Sequence, residues 1–175
     1  MSGIIHTAYF KNDYGELIIG SYEQQLCLCD WRYRKMRSSI DRRIETGLQA
    51  EYVEGESDII DETRKQLSSY FAGEINRFDL PLLMVGSEFQ KKVWELLLNI
   101  PFGKTESYLG LSKKLGDTKS IRAVASANGA NAISIIVPCH RIIGSDGNLT
   151  GYAGGLTTKR KLLRLENALA QGELF

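Results

Sequence analysis

Hydrophobic periodicity changes character once along this 175-residue chain, and that change limits its architecture more than any other feature. Near the N-terminus the pattern is that of strands. IIHTAYF, the turn NDYG and ELIIG predict a hairpin, and QLCLCDW predicts a third strand. The basic stretch from Arg32 to Arg43 has no clear period and reads as a loop, either solvated or touching a polyanion. From Ser57 onward the spacing becomes helical. Ser57-Asp58 can cap a helix with Ile59, Ile60, Leu67, Tyr70 and Phe71 on its buried side, and Gly73 closes it. Residues 76–86, with Pro81 and Gly86 as breakers, form a connection. The expectation is an α/β protein with a strand-rich N-terminal domain over residues 1–83 and a helical C-terminal domain over 84–175.

Ser87 and Gln90 form a capping-box pattern, and Phe89, Val93, Trp94, Leu97 and Leu98 follow at helical spacing until Pro101 and Gly103. Thr105 to Leu115, closed by Gly116, and Ser120 to Asn128, closed by Gly129, predict two short helices. Joined by a tight glycine-containing turn, they resemble a helix-turn-helix. An apolar strand is expected from Ile133 to Val137, and a hairpin around Asp146-Gly147 would make a wing. Thr157 can cap a last helix bearing Leu162, Leu163, Leu165 and Leu169, with Lys159, Arg160 and Lys161 read as surface charges.

No apolar run reaches the ~18 residues of a membrane span, and MSGIIHTAYF has no signal-peptide pattern. A cytoplasmic protein with reduced thiols is the expectation. The net charge of +1 conceals an asymmetry: residues 84–175 carry a net +5 and residues 1–83 a net −4, which suggests a polyanion for the C-terminal part. The second short helix, SIRAVASAN, offers one long polar side chain, Arg122, among small residues. Such a surface reads little base sequence but approaches a groove closely, or it packs against a neighbour. Cys27 and Cys29 read as core residues or as two zinc ligands with His6.

Val137-Pro138-Cys139-His140-Arg141 is the most informative segment. A nucleophilic thiol needs a base or cation nearby, and His140 is adjacent. Neighbours in extended chain face opposite ways, so contact requires a turn or an intervening water. Glu166 can orient the imidazole. A buried structural cysteine is the alternative for a Cys-His pair alone.

IIVPCHRIIGSDGNLTGYAGGLTTKRKLLRLE, with IPFGKTESYLGLSKKLG and SIRAVASANGAN upstream, closely resembles the O6-alkylguanine-DNA alkyltransferases, also called methylated-DNA–protein-cysteine methyltransferases. The likeness covers residues 87–169, whereas the N-terminal half fits that family's variable strand-rich domain only loosely. It implies direct-reversal repair: one turnover moves the alkyl group from O6-alkylguanine, and also O4-alkylthymine, onto Cys139. His140 would take the thiol proton through a water, Glu166 would hold His140, and Asn131 would tie down the turn before Cys139. Tyr108 would protonate the leaving guanine and press on the backbone beside a flipped nucleotide. Arg122 would fill the vacated stack, while Ala123 and Ser126 face the DNA. Pro138, Tyr152, Ala153 and Gly154 would line the alkyl pocket. Many relatives carry Ser where this chain has Ala153. The implied partner is double-stranded DNA met through its minor groove by a monomer, without cofactor or metal. A non-catalytic lesion binder would lack Cys139, a helix-turn-helix regulator would need base-reading side chains, and a cysteine hydrolase would turn over repeatedly.

Overall fold

The computed structural model describes residues 3–169. The fold divides into two compact units between Gly86 and Ser87. Residues 81–83 stay with the first unit because they are tied to its third strand: Leu26 N donates to Pro81 O at 2.7 Å and Leu83 N to Leu26 O at 2.8 Å.

In the first unit β1 (Gly3–Asn12), β2 (Gly15–Tyr22) and β3 (Gln25–Trp31) form the expected antiparallel meander. The tight turn between Asn12 and Gly15 is fixed by Tyr14 N donating to Asn12 Oδ1 at 2.8 Å. The basic stretch is not a loop: α1 spans Arg37–Leu48. Ile40 and Ile44, one turn apart, supply its buried stripe, while arginines that looked solvated are spent on acids. Arg34 and Arg37 both reach Asp30, and Arg37 also binds Asp41. The chain then makes a strand missed in the sequence, β4 (Ala50–Glu54), parallel to β1, so the sheet order is β3-β2-β1-β4. The helix α2 (Asp58–Phe71), capped by Ser57 as expected, packs on the sheet through Ile60, Thr63, Leu67 and Tyr70. Ile59 and Phe71 are only half-buried. Gly73, at φ 75°, ends the helix. Cys27 and Cys29 point into this core, whereas His6 lies on β1 with β2 between. Strands sit ~4.8 Å apart, so the three residues do not gather around one metal.

The second unit is built on α3 (Glu88–Leu98), α4 (Tyr108–Leu115) and α5 (Ile121–Gly129), which pack against one another. The Ser87–Gln90 capping box forms, and Val93, Trp94 and Leu97 face inward, whereas Phe89 and Leu98 are exposed. Trp94 Nε1 donates to Ala127 O at 2.8 Å, fixing α5 on α3. Gly116, at φ 88°, makes the turn that leads from α4 toward α5. The expected strand over 133–137 is a series of turns. Its apolar residues are buried, but Ile135 has φ 72°, which breaks any ladder. A two-residue strand, β5 (Glu106–Ser107), pairs in parallel with β6 (Ile142–Ile143). After β6 a turn forms at Asp146-Gly147, closed by Gly144 N to Asn148 O, without a returning strand. The last helix, α6, is Leu156–Leu165 and begins at Gly155 rather than at a Thr157 cap; Leu169 lies beyond it.

Candidate active site

Cys139 opens a single 3-10 turn, Cys139–Arg141, between Pro138 and β6. Its placement begins at Asn131, which is 2% exposed. Asn131 Nδ2 donates to Val137 O at 2.8 Å and to Ile133 O at 3.4 Å, and its Oδ1 accepts from Ile133 N at 3.0 Å. One amide thereby closes the whole bend before the cysteine. Within it, Ile135 sits in the left-handed region, unusual for a β-branched residue and sustained only where neighbours enforce it. Asn128 on α5 adds a long contact, its Nδ2 standing 3.5 Å from Cys139 O.

Cys139 and His140 lie in a 3-10 turn and not in an extended strand. Cys139 is 4% exposed, and His140 and Glu166 are buried. His140 Nε2 and Glu166 Oε2 are 2.8 Å apart. Arg141, which the sequence reading did not single out, grips the same carboxylate with two nitrogens, Nε to Oε1 at 2.8 Å and Nη2 to Oε2 at 3.0 Å. Its Nη1 donates to Ile100 O at 2.6 Å. Burial works against the Glu166 charge, but His140 and Arg141 outweigh it and hold the carboxyl down to about 2. Burial pushes the His140 pKa below its usual value against the pull of Glu166. The imidazole is therefore neutral at neutral pH, and because an ionised Glu166 only accepts, Nε2 carries the hydrogen. Nδ1 is then the basic nitrogen, and it is buried without a hydrogen bond.

Tyr152 presents its ring edge-on to His140, with centroids 6.4 Å apart. Ala153 and Gly154 follow in the same half-buried turn, closed by Gly155 N to Tyr152 O at 2.9 Å. Pro138 is buried. Tyr108 stands at the start of α4, where its hydroxyl accepts from Thr150 Oγ1 at 3.5 Å. Arg122, Ala123 and Ser126 share the exposed face of α5, opposite Val124, Ala127 and Asn128. They belong to the helix surface and not to the buried cluster.

Lys159 overturns an expectation: it is fully buried rather than a surface charge. Its Nζ donates to Thr150 O at 2.8 Å and Gly151 O at 3.3 Å. The signal was its spacing with Leu162, Leu163 and Glu166, one continuous helical stripe. Arg160 and Lys161, off that stripe, are half-exposed.

The chain as a whole is similar to proteins of one family. Residues 88–168 match the family described as 6-O-methylguanine DNA methyltransferase, DNA binding domain. A methylated-DNA–protein-cysteine methyltransferase of Methanosarcina acetivorans is 41% identical over 164 residues, covering 94% of this chain and 99% of that relative. The protein of the same name from Mycobacterium bovis is 51% identical over 109 residues, 62% of this chain and 66% of that relative. The crystal structure of Mycobacterium tuberculosis O6-methylguanine methyltransferase superposes with TM-score 0.78 at 37% identity, covering 95% of this chain and 94% of the other. A crystal structure from the same organism of OGT in complex with DNA gives TM-score 0.79 at 36% identity, covering 97% of each chain.

Proposed function

The chain belongs to the methylated-DNA–protein-cysteine methyltransferases, enzymes that repair alkylated DNA, and we propose that Cys139 is where it takes up the alkyl group of O6-alkylguanine. The observation that carries this reading is the neutral His140 beside Cys139, held at Nε2 by Glu166 with its basic Nδ1 unpartnered. Nδ1 accepts the Cys139 proton through a water. The sulfur attacks the alkyl carbon, the S–C bond forms as the C–O6 bond breaks, and the electron pair returns to the guanine ring. The Tyr108 hydroxyl gives the departing base its proton and recovers one from the imidazolium through solvent, so the thiol hydrogen ends on guanine. The thioether product has no leaving group as good as guanine, and each molecule acts once.

Arg141 and Asn131 are positioning residues: the first fixes Glu166 and the second fixes the bend before Cys139. Pro138, Tyr152, Ala153 and Gly154 line the alkyl pocket. The alkyl carbon of a stacked guanine is out of reach of a buried thiol, so the nucleotide must be flipped out. Arg122 fills the vacated stack, and the small face bearing Ala123 and Ser126 lets α5 lie close in the minor groove. O4-alkylthymine presents a similar carbon and is the expected second substrate. The protein acts as a cytoplasmic monomer on double-stranded DNA.

The test is incubation with duplex carrying a labelled O6-methyl group, followed by peptide mass mapping. One equivalent of label on Cys139 is expected. Label elsewhere, or more than one turnover, overturns the reading.

A further inference from the structure

Two buried side-chain acceptors of the second unit lack a hydrogen-bond partner among the described residues: His140 Nδ1 and Asn128 Oδ1. A buried acceptor left unsatisfied carries its full desolvation penalty. Both atoms belong to the surroundings of Cys139. His140 is the next residue in the same 3-10 turn, and Asn128 reaches that turn from α5, its Nδ2 standing 3.5 Å from Cys139 O. This contact orients the amide: flipped, Asn128 would set its carbonyl oxygen against that of Cys139, so the orphaned atom is the oxygen. Asn128 is 7% exposed and His140 is 0% exposed. Asn131, the other amide at this bend, has its oxygen on Ile133 N and its nitrogen on the Val137 and Ile133 carbonyls. Asn131 therefore serves the backbone, whereas the Asn128 oxygen remains to be used.

We propose that Asn128 is a positioning residue for the proton transfer: its Oδ1 anchors the water that carries the Cys139 proton to His140. The proposal rests on Cys139 being the acceptor of the alkyl group. A water brings two hydrogens, and these two acceptors are matched to them. It donates one to His140 Nδ1 and one to Asn128 Oδ1, and its oxygen accepts from the Cys139 S–H, within the roughly two to four partners usual for a buried water. On transfer the sulfur hydrogen passes to the water oxygen, and the hydrogen that faced Nδ1 passes to the imidazole. The imidazolium then donates back to the water, and the water donates the hydrogen it received to the thiolate, so the water itself is conserved. Of its three bonds, only the one to Asn128 keeps the same direction before and after. A carboxamide is neutral in both states and does not titrate, so it holds the oxygen in place while the other two bonds reverse. Because Asn128 lies on the buried side of α5, opposite Arg122, the helix whose exposed face is assigned to DNA also fixes the water beside the thiol.

Two measurements test it. A high-resolution crystal structure of the native protein should show a water within hydrogen-bond distance of both His140 Nδ1 and Asn128 Oδ1. No water there, or one that touches Nδ1 alone, overturns the proposal. The second measurement is the pH dependence of Cys139 alkylation by iodoacetamide, in which S–C forms as iodide leaves, with peptide mass identifying the residue. Asn128→Leu keeps a similar volume and removes the acceptor. Its acid limb should move up by about one pH unit, making alkylation about tenfold slower at neutral pH, with the rate recovered at higher pH where hydroxide takes the proton. A purely structural loss would instead lower the rate at every pH. In a His140→Gln background, which has no basic ring nitrogen, the same substitution should change nothing further. An unmoved limb in folded Asn128→Leu, a uniform drop at every pH, or equal shifts in both backgrounds overturns the proposal. If the variants do not fold, the position of the crystallographic water decides alone. Neither measurement requires guanine recognition, so failure here leaves the DNA label on Cys139, whereas label elsewhere would condemn the acceptor reading itself.

Discussion

Both units of this protein bury cysteine close to a carboxylate gripped by arginine, yet only one arrangement suits chemistry. In the first unit Cys29 precedes Asp30, whose oxygens are taken by Arg34 and Arg37. Burial pushes the Cys27 thiol up to about 12 and Cys29 higher still, with the charge of Asp30 adding to the rise at Cys29. In the second unit Arg141 grips Glu166 but leaves Oε2 shared with His140, and Lys159 is buried nearby. Burial alone silences a thiol. Reactivity requires that the carboxylate be only partly spent, so that it can fix a base.

The sharpest way to break the comparison is to remove the thiols. Cys139→Ala should bind alkylated duplex and accept no label, a complete loss. A Cys27→Ala, Cys29→Ala double variant should still take up one equivalent. Uptake by the first or a reduced count in the second would erase the distinction.

Next comes the pair of carboxylates. Glu166→Gln strands Arg141 and loosens the imidazole, so it should cost about 3–5 kcal/mol of stability and slow transfer by about 100-fold. Asp30→Asn should also destabilise, since it removes the charge that Arg34 and Arg37 share, even though Arg37 keeps Asp41, while the single-turnover rate stays native. Denaturant melts and rapid-quench transfer assays read both quantities. A slowed transfer in Asp30→Asn would show that the first unit is part of the chemistry.

Approach to the DNA gives a smaller effect. Arg122→Ala should slow repair of duplex by about tenfold while leaving reaction with free alkylated guanine close to native, because free base needs no unstacking. Equal losses on both substrates would remove Arg122 from the flipping step.

Methylation itself comes next. The added carbon enters a close-packed turn and should cost about 1–3 kcal/mol, a fall of roughly 2–4 °C in melting temperature per kcal/mol for a chain of this size. Thermal melts of native and stoichiometrically methylated protein test it, and an unchanged temperature would mean that the pocket already has room.

The smallest effect is a difference in pH response. His140 is lowered and Glu166 is depressed to about 2, so on acidification the unfolded chain takes up protons first. The second unit should therefore lose stability as pH falls below about 6.5, and again from about 4.5 toward 2. Cys27 is raised to about 12, so the unfolded chain loses that proton first, and the first unit should weaken as pH rises from about 9. Trp31 and Trp94, one in each unit, report separately by fluorescence. Identical profiles at the two tryptophans would contradict the assignment.

Legibility in the sequence followed the range over which each feature is decided. The β1–β2 hairpin, the Ser57 cap and the Ser87–Gln90 box are settled within a few residues, and all were readable. The helix α1 was hidden because its arginines look solvated until Asp30 and Asp41 are brought to them, and only Ile40 and Ile44 marked its buried side. The segment 133–137 reads as a strand because its residues favour one, and no local signal shows that Asn131 will override them. Cys139, His140 and Glu166 stood out by residue type and resemblance. Arg141 and Lys159 did not, because a cation is assigned to the surface until its partners are known.

The enforced bend at Ile135 also governs how this stretch can change over generations. Asn131 and the left-handed backbone at residue 135 require each other. Losing the amide frees the backbone to return to an ordinary conformation, carrying the Val137 carbonyl and then Cys139 with it. Replacing Ile135 by glycine would relieve the conformation but empty a buried site. Single steps from either end are therefore penalised, and residues 131–139 should be inherited, and transplanted into another chain, only as one block.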